Sequence, residues 1–279
     1  MSSTWHGDTP PTQNPIGILG ILQAILRGVP LFFLLFGGLG VLLIVRMVER
    51  PIFKEARPIT PYITVFVCRC ALVLMGLKLS VQGKPLHGQG AVVANHSSWL
   101  DIFVLNASKR IYFVSKSEVA RWPGIGWLAR ATGTVFIERN RKKAASQTEL
   151  FRKRLTAGHK LLFFPEGTSS DGARVLPFKS TLFAAFFDPS LRKILQVQPV
   201  SVSYQAPTGK NPQFFGWWGD MDFGSHLFRV LAEGHGGKVR VYYHPTLNVR
   251  DYADRKSLAS DCETAVRKGF EASGKVSAG

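Results

Sequence analysis

The sequence predicts an α/β protein, a mixed sheet flanked by helices, with an N-terminal helical segment that anchors it to a membrane. Two observations predict this. From Gly90 onward, short runs rich in β-branched and aromatic residues alternate with amphipathic stretches, the pattern of strands interleaved with helices. Ahead of them, Val29 to Val45 runs for 17 residues without a charge. At 1.5 Å per residue it spans about 26 Å, near the lower limit for crossing a bilayer core.

Residues 1–15, rich in Pro, Ser, Thr and Gly, read as a disordered tail. Residues 16–80 form the membrane-associated helical region and residues 81–279 the main domain. Ile16 to Leu26 is apolar but short, and Arg27 separates it from the uncharged run. A buried helix of a soluble core is the alternative for that run. A cleaved signal peptide is disfavoured, because the first fifteen residues carry no positive charge. Arg46, Arg50, Lys54 and Arg57 follow, opposed only by Glu49 and Glu55, and cations so placed favour the cytoplasmic side. Pro61 to Leu77 is a second apolar stretch with Arg69 at its middle. A charge there is costly in hydrocarbon, so this stretch is expected at the interface or against the main domain.

Within the main domain the expected strands are Ala91 to Asn95, Ile111 to Ser115, Thr134 to Ile137, Leu161 to Phe164, Val197 to Tyr204 and Lys238 to Tyr243. The expected helices are Trp99 to Ala107, Ile125 to Ala131, Ala144 to Ala157 and Tyr252 to Ser273. Lys179 to Leu195, with Phe183, Phe186 and Phe187, reads as core or as the floor for an acyl chain.

The chain of 279 residues carries 35 Lys and Arg against 18 Asp and Glu, a formal net charge of +17. Such an excess points to an anionic partner, nucleic acid or a phosphate-bearing membrane surface. A mean hydropathy of +0.07 and the long apolar run favour the membrane. Zinc-finger spacing, a basic region with heptads and an RNP-like aromatic block are all absent, so no nucleic-acid partner is expected. Cys68, Cys70 and Cys262 lack zinc or disulfide spacing and read as reduced side chains.

Chemistry concentrates in Asn95-His96-Ser97-Ser98-Trp99-Leu100-Asp101. A neutral imidazole accepts a proton from a hydroxyl near pH 7, and a carboxylate on its other nitrogen sets the tautomer and steadies the imidazolium. Five residues apart, the two side chains would lie about 140° apart on a regular helix. His96 is therefore expected in the turn closing a strand, and Asp101 in the first turn of the next helix. Gly124 to Ala129 matches a loose dinucleotide fingerprint without a preceding strand. Gly167 to Gly172 has P-loop spacing without its Lys and Ser/Thr, and no G-x-S-x-G elbow occurs. His6, His87, His159, His226, His235 and His244 are scattered, and no metal is expected.

A second block, Phe163-Phe164-Pro165-Glu166-Gly167-Thr168, follows another apolar run. With the His96 block it resembles the PlsC-like 1-acylglycerol-3-phosphate acyltransferase family of glycerolipid acyltransferases. Gly133 to Arg139 is similar to that family's intermediate block, and Val197 to Val202 to its fourth. The resemblance implies an acyltransferase domain in which His96, oriented by Asp101, deprotonates the free hydroxyl of a lysolipid. The oxygen then attacks the thioester of acyl-CoA or acyl carrier protein, a co-substrate, and no cofactor is needed. It also implies that Arg139, Glu166 and Gly167 contact the acceptor's polar head, though Glu166 can equally be structural. Backbone N–H groups near Gly167 and Thr168 are candidates to hold developing negative charge.

Where the family often continues with Arg after Thr168, this chain has Ser169-Ser170-Asp171-Gly172, leaving Arg174 or Lys179 as substitutes. The expected product is phosphatidic acid from 1-acylglycerol-3-phosphate. The alternative is ornithine lipid, because Ser169 to Ser180 is similar to variants in bacterial lyso-ornithine lipid acyltransferases, whose acceptor has no phosphate. A non-catalytic lipid-binding protein of the same fold and a lipid hydrolase using the same dyad are the remaining readings. The intact His96, Asp101 and Glu166 argue against the first of these. The expected location is a bacterial inner membrane, with the catalytic domain on the cytoplasmic side.

Overall fold

A computed structural model describes residues 4–10, 14–138 and 144–275. Its centre is one twisted sheet of β1 (Leu77–Gly83), β2 (Gly90–Ala94), β3 (Tyr112–Lys116), β4 (Val135–Ile137), β5 (Lys160–Phe163), β6 (Gln196–Gln205), β7 (Gly237–Tyr243) and β8 (Leu247–Asn248). The strand order is β1-β7-β6-β2-β5-β3-β4, with β8 against the start of β6. Only β6 pairs antiparallel, with β7 and with β8. The rest of the sheet is parallel, so both faces need cover.

Alternation along β2 shows how this works. Ala91 and Val93 join Phe151, Phe183, Phe186, Leu258 and Cys262 on one face. Val92 and Ala94 join Ala71, Leu100, Val104 and Leu105 on the other. The flanking helices are α1 (Ile18–Phe53), α2 (Thr60–Leu74), α3 (Leu100–Ser108), α4 (Ile125–Thr132), α5 (Ala144–Thr156), α6 (Pro189–Arg192), α7 (Phe223–Glu233) and α8 (Arg255–Lys275).

The expected mixed sheet flanked by helices is the fold observed, and α1 is the expected long apolar N-terminal helix, though longer than the uncharged run. It has 36 residues and starts before Arg27. That charge does not interrupt the helix, because its guanidinium donates to the Leu231 carbonyl of α7 at 2.7 Å. Pro30 and Pro51 also lie within it. Its buried residues, Ala24, Leu31, Leu42 and Glu49, fall at intervals of seven, eleven and seven, one stripe at helical period. Elsewhere α1 presents Ile18, Leu26, Phe33, Ile44 and Met47 to the outside. It is long and apolar enough to cross a membrane by length and composition.

As expected, α2 packs against the domain, and Arg69 donates to the Ala107 carbonyl at the end of α3. A Cβ on Gly38 of α1 would lie 2.7 Å from Val67 of α2, so the glycine sets how closely these helices approach. At the far end the buried Glu49 carboxylate accepts from the Ile59 N–H (2.7 Å), the Thr60 N–H (3.1 Å) and hydroxyl (2.7 Å), and Arg46 (3.1 Å). Removing it with Glu49→Ala strands Arg46 and three donors. We expect a loss of about 3 kcal/mol of stability, read as a lower denaturant midpoint with an unchanged slope.

Candidate functional site

The register of the sheet brings the two sequence blocks together. Val93 of β2 pairs with Phe163 of β5 on one side and Pro199 of β6 on the other. The residues just beyond these strands therefore emerge side by side at the carboxyl edge of the parallel sheet, where α/β folds place their ligands. Asn95 continues β2 with its side chain: Oδ1 accepts from the Val202 N–H and Nδ2 donates to the Val202 carbonyl, both at 2.8 Å.

His96 follows in the turn, and Asp101 lies in the first turn of α3. His96 Nδ1 is 2.8 Å from Asp101 Oδ2. The same oxygen accepts the N–H groups of Ser97 (2.8 Å) and Ser98 (3.0 Å), and Oδ1 accepts the Tyr204 hydroxyl (2.6 Å). Burial, reinforced by the facing Asp101, holds the Tyr204 phenol well above its ordinary range, so it remains a donor. The His96 ring stacks on Phe164, with centroids 4.0 Å apart and planes 10° from parallel. Asp101 is fully enclosed while the His96 side chain keeps 19% of its surface. With Nδ1 directed at the carboxylate, Nε2 is the nitrogen left to take up a proton.

Glu166 sits in the corner after β5. Oε1 accepts the His96 N–H at 2.8 Å and Oε2 the Leu176 N–H at 3.1 Å, at 1% exposure. So enclosed, it braces the histidine's backbone and cannot present its carboxyl to a bulky head group. Burial pushes that carboxyl up to about 8, against the pull of the two amides. Gly167 has φ +74°, and its N–H closes the corner on the Phe164 carbonyl at 3.0 Å. This amide is therefore occupied and unavailable for charge developing on a substrate. The Ser170 N–H donates to the His96 carbonyl and the Trp217 N–H to the Ser97 carbonyl, fixing the loop from the other side.

The remaining candidates spread around this centre. Thr168 Oγ1 accepts the Trp5 N–H at 3.2 Å. Arg174 is half-exposed and ion-paired with Asp171 (2.9 Å) and Asp8 (2.8 Å). Lys179 is exposed, and its N–H donates to the Pro165 carbonyl. Arg139 lies outside the described residues.

Sequence reasoning missed Tyr204, which is 103 positions from Asp101 and carries no local signal, and buried Asp171, tied to Gln213 and the Ala173 N–H. Composition makes residues 1–15 a disordered tail. Trp5 and Asp8 nonetheless dock here, with the Asp8 carbonyl accepting the Trp218 indole N–H at 2.9 Å.

Two substitutions probe these contacts. Tyr204→Phe leaves Asp101 Oδ1 without its donor, and turnover is expected to fall about tenfold with KM within about twofold, measured by steady-state kinetics. For Glu166 the folded value near 8 lies above the ordinary 4.5. The folded state holds this proton between those pH values after the unfolded chain has released it, so stability falls as pH rises through the window, by about 1.4 kcal/mol per unit. Denaturant titrations from pH 5 to pH 8 should show that slope in the wild type and lose it in Glu166→Gln.

A family model described as Acyltransferase matches residues 78–203, the span that holds His96, Asp101 and the Glu166 corner. The lyso-ornithine lipid O-acyltransferase of Rhodobacter capsulatus is 54% identical over 95% of this chain and 96% of its own. The 1-acyl-sn-glycerol-3-phosphate acyltransferase of Neisseria meningitidis serogroup B is 32% identical over 70% of this chain and 76% of its own. The crystal structure of the 1-acyl-sn-glycerophosphate acyltransferase PlsC from Thermotoga maritima has the same fold, with a TM-score of 0.64 over 91% of this chain and 94% of that one at 22% identity. With a histidine–aspartate pair at the carboxyl edge of this sheet and relatives of this similarity along nearly its whole length, the chain belongs to the PlsC-like glycerolipid acyltransferase family and is an O-acyltransferase.

Proposed function

We propose that this enzyme transfers a fatty acyl group from a thioester carrier, acyl-CoA or acyl carrier protein, to the free hydroxyl of a lyso-ornithine lipid. The observation that carries the choice of acceptor is the 54% identity, across nearly both full lengths, to the Rhodobacter capsulatus enzyme of that name. Relatives named for 1-acylglycerol-3-phosphate match over less of the chain and at lower identity, so phosphatidic acid synthesis becomes the second reading.

The loop after Glu166 supports the same choice. Arg174 faces two carboxylates, Asp171 and Asp8, so its charge is already offset where a phosphate would need an unopposed cation. A head group carrying both a carboxylate and an ammonium suits such a mixed cluster. In this reading Nε2 of His96 takes the proton of the acceptor hydroxyl while Asp101 steadies the imidazolium. The oxygen attacks the thioester carbonyl, and the departing thiolate recovers the proton from the imidazolium. Since the Gly167 amide is occupied, the Thr168 N–H is the remaining candidate from the sequence for the developing oxyanion.

Membrane association belongs to α1. Its single buried stripe touches protein from Ala24 to Glu49, about 37 Å along the axis, so we read α1 as lying within one leaflet against the domain on the cytoplasmic side, with α2 beside it.

Purified enzyme given a labelled acyl donor with either acceptor tests the proposal. Product is expected from lyso-ornithine lipid well above that from 1-acylglycerol-3-phosphate, with His96→Ala reducing it by at least about a hundredfold. A preference for the phosphate acceptor would restore the second reading. Equal behaviour of wild type and His96→Ala would remove catalysis by the dyad.

A further inference from the structure

At the opposite, amino edge of the parallel strands lies a cluster that the acyl-transfer reading does not use. A cavity of about 230 Å³ opens between the last turn of α1 and the starts of β3 and β5. Its walls include Arg57, Arg110, Tyr112, His159 and Lys160, and no carboxylate. His159 is 3% exposed, and neither ring nitrogen has a partner in regular hydrogen-bond geometry, the Glu55 backbone serving as a weak acceptor beside the ring. Burial first, then Arg154 and Arg57, push this imidazole down to about 3, so the ring is neutral.

Arg57 and Arg154 both lie against the Tyr112 ring. They donate to the Ala131 (2.9 Å) and Gly133 (2.6 Å) carbonyls at the end of α4. Capping that helix accounts for one N–H of each guanidinium, but the buried Nε of each is left without a partner. The nearby carboxylates are committed elsewhere: Glu49 holds Arg46 and Thr60, and Glu55 pairs with Lys153 at 3.0 Å. Buried cations without a counter-ion are costly, so a built site of this kind calls for an anion. On the far side of Arg57, a second cavity adds Arg46, Arg50 and Arg130 to the same field, with Glu55 the one carboxylate among its lining residues.

The surroundings identify the anion's source. Arg110 stacks over Tyr62 at 4.5 Å, and the rim continues into Ile52, Phe53 and Ile59, all exposed beside the apolar surface of α1 and α2. We propose that this cavity binds the phosphate head group of an anionic membrane phospholipid, held by Arg57, Arg110, Lys160 and His159, at a site separate from the acyl-transfer centre. The proposal rests on reading α1 as membrane-associated, and its test separates the two.

The experiment is flotation of the full chain with vesicles of pure phosphatidylcholine and with vesicles containing about 20 mol% phosphatidylglycerol. Three forms are compared: wild type, the rim variant Arg110→Gln/Lys160→Gln, and Lys238→Gln/Lys256→Gln, which removes the same charge from exposed positions elsewhere. All three should bind pure phosphatidylcholine alike; failure there overturns the membrane reading. Phosphatidylglycerol should strengthen wild-type binding, and the rim variant should lose about tenfold of that gain while the distant variant keeps nearly all of it. Equal losses in the two variants would overturn the site. Abolition of the gain by millimolar inorganic phosphate would overturn the lipid head group as its ligand. Of the two side chains replaced in the rim variant Arg110 is exposed and Lys160 half-buried, and an unchanged melting temperature confirms its fold.

Discussion

The buried Asp101 carboxylate governs the architecture of the candidate active site. It collects the His96 imidazole, two backbone amides from the same turn and the Tyr204 phenol. No water reaches it, so these donors must come from the protein, and each must be held in place by something larger. The amides come from the turn between β2 and α3, the phenol from β6. The dyad is therefore a property of the sheet as much as of the motif, because β6 must lie beside β2 in the observed register for Tyr204 to arrive.

Glu166 works in the opposite manner. It lies beneath the turn, accepts the His96 and Leu176 amides, and is pushed towards neutrality by burial. One carboxyl thus orients the imidazole while the other holds its backbone. The Pro-Glu-Gly corner joins β5 to β2 as a brace, and in the loop beyond it Arg174, Asp171 and Asp8 form a mixed-charge cluster closed by the N-terminal segment.

The two edges of the parallel sheet carry different electrostatics. Acyl-transfer geometry occupies the carboxyl edge, while the amino edge gathers arginines, Lys160 and a neutral histidine beside the end of α1. Both edges reach the apolar surface of α1 because that helix runs along the domain with one stripe buried, tied at one end through Arg27 to α7 and at the other through Glu49 to α2. A helix attached at both ends holds its exposed apolar face fixed along the flank of the domain.

The strands nearest the site were legible in the residues, since β2, β5 and β6 are buried runs whose hydrophobicity is local information. β1 was not: it is an edge strand, mostly exposed after Leu77, and its alternation of Leu77, Leu79 and Val81 runs straight on from the apolar stretch that ends at Leu77. α7 was not among the expected helices, although its buried Val230 and Leu231 share one core with Ala24 and Leu31 of α1. By itself the sequence determined the dyad, the proline–glutamate–glycine corner, the apolar N-terminus and the excess of positive charge, because each is set by residues close together in the chain. Only the tertiary structure decided that Tyr204 meets Asp101, that Glu166 turns inward, that Asp8 and Trp5 cover the loop, and that Arg57 and His159 converge at the far edge. Those contacts join positions tens to hundreds of residues apart, and strand register and helix packing bring them within hydrogen-bond reach.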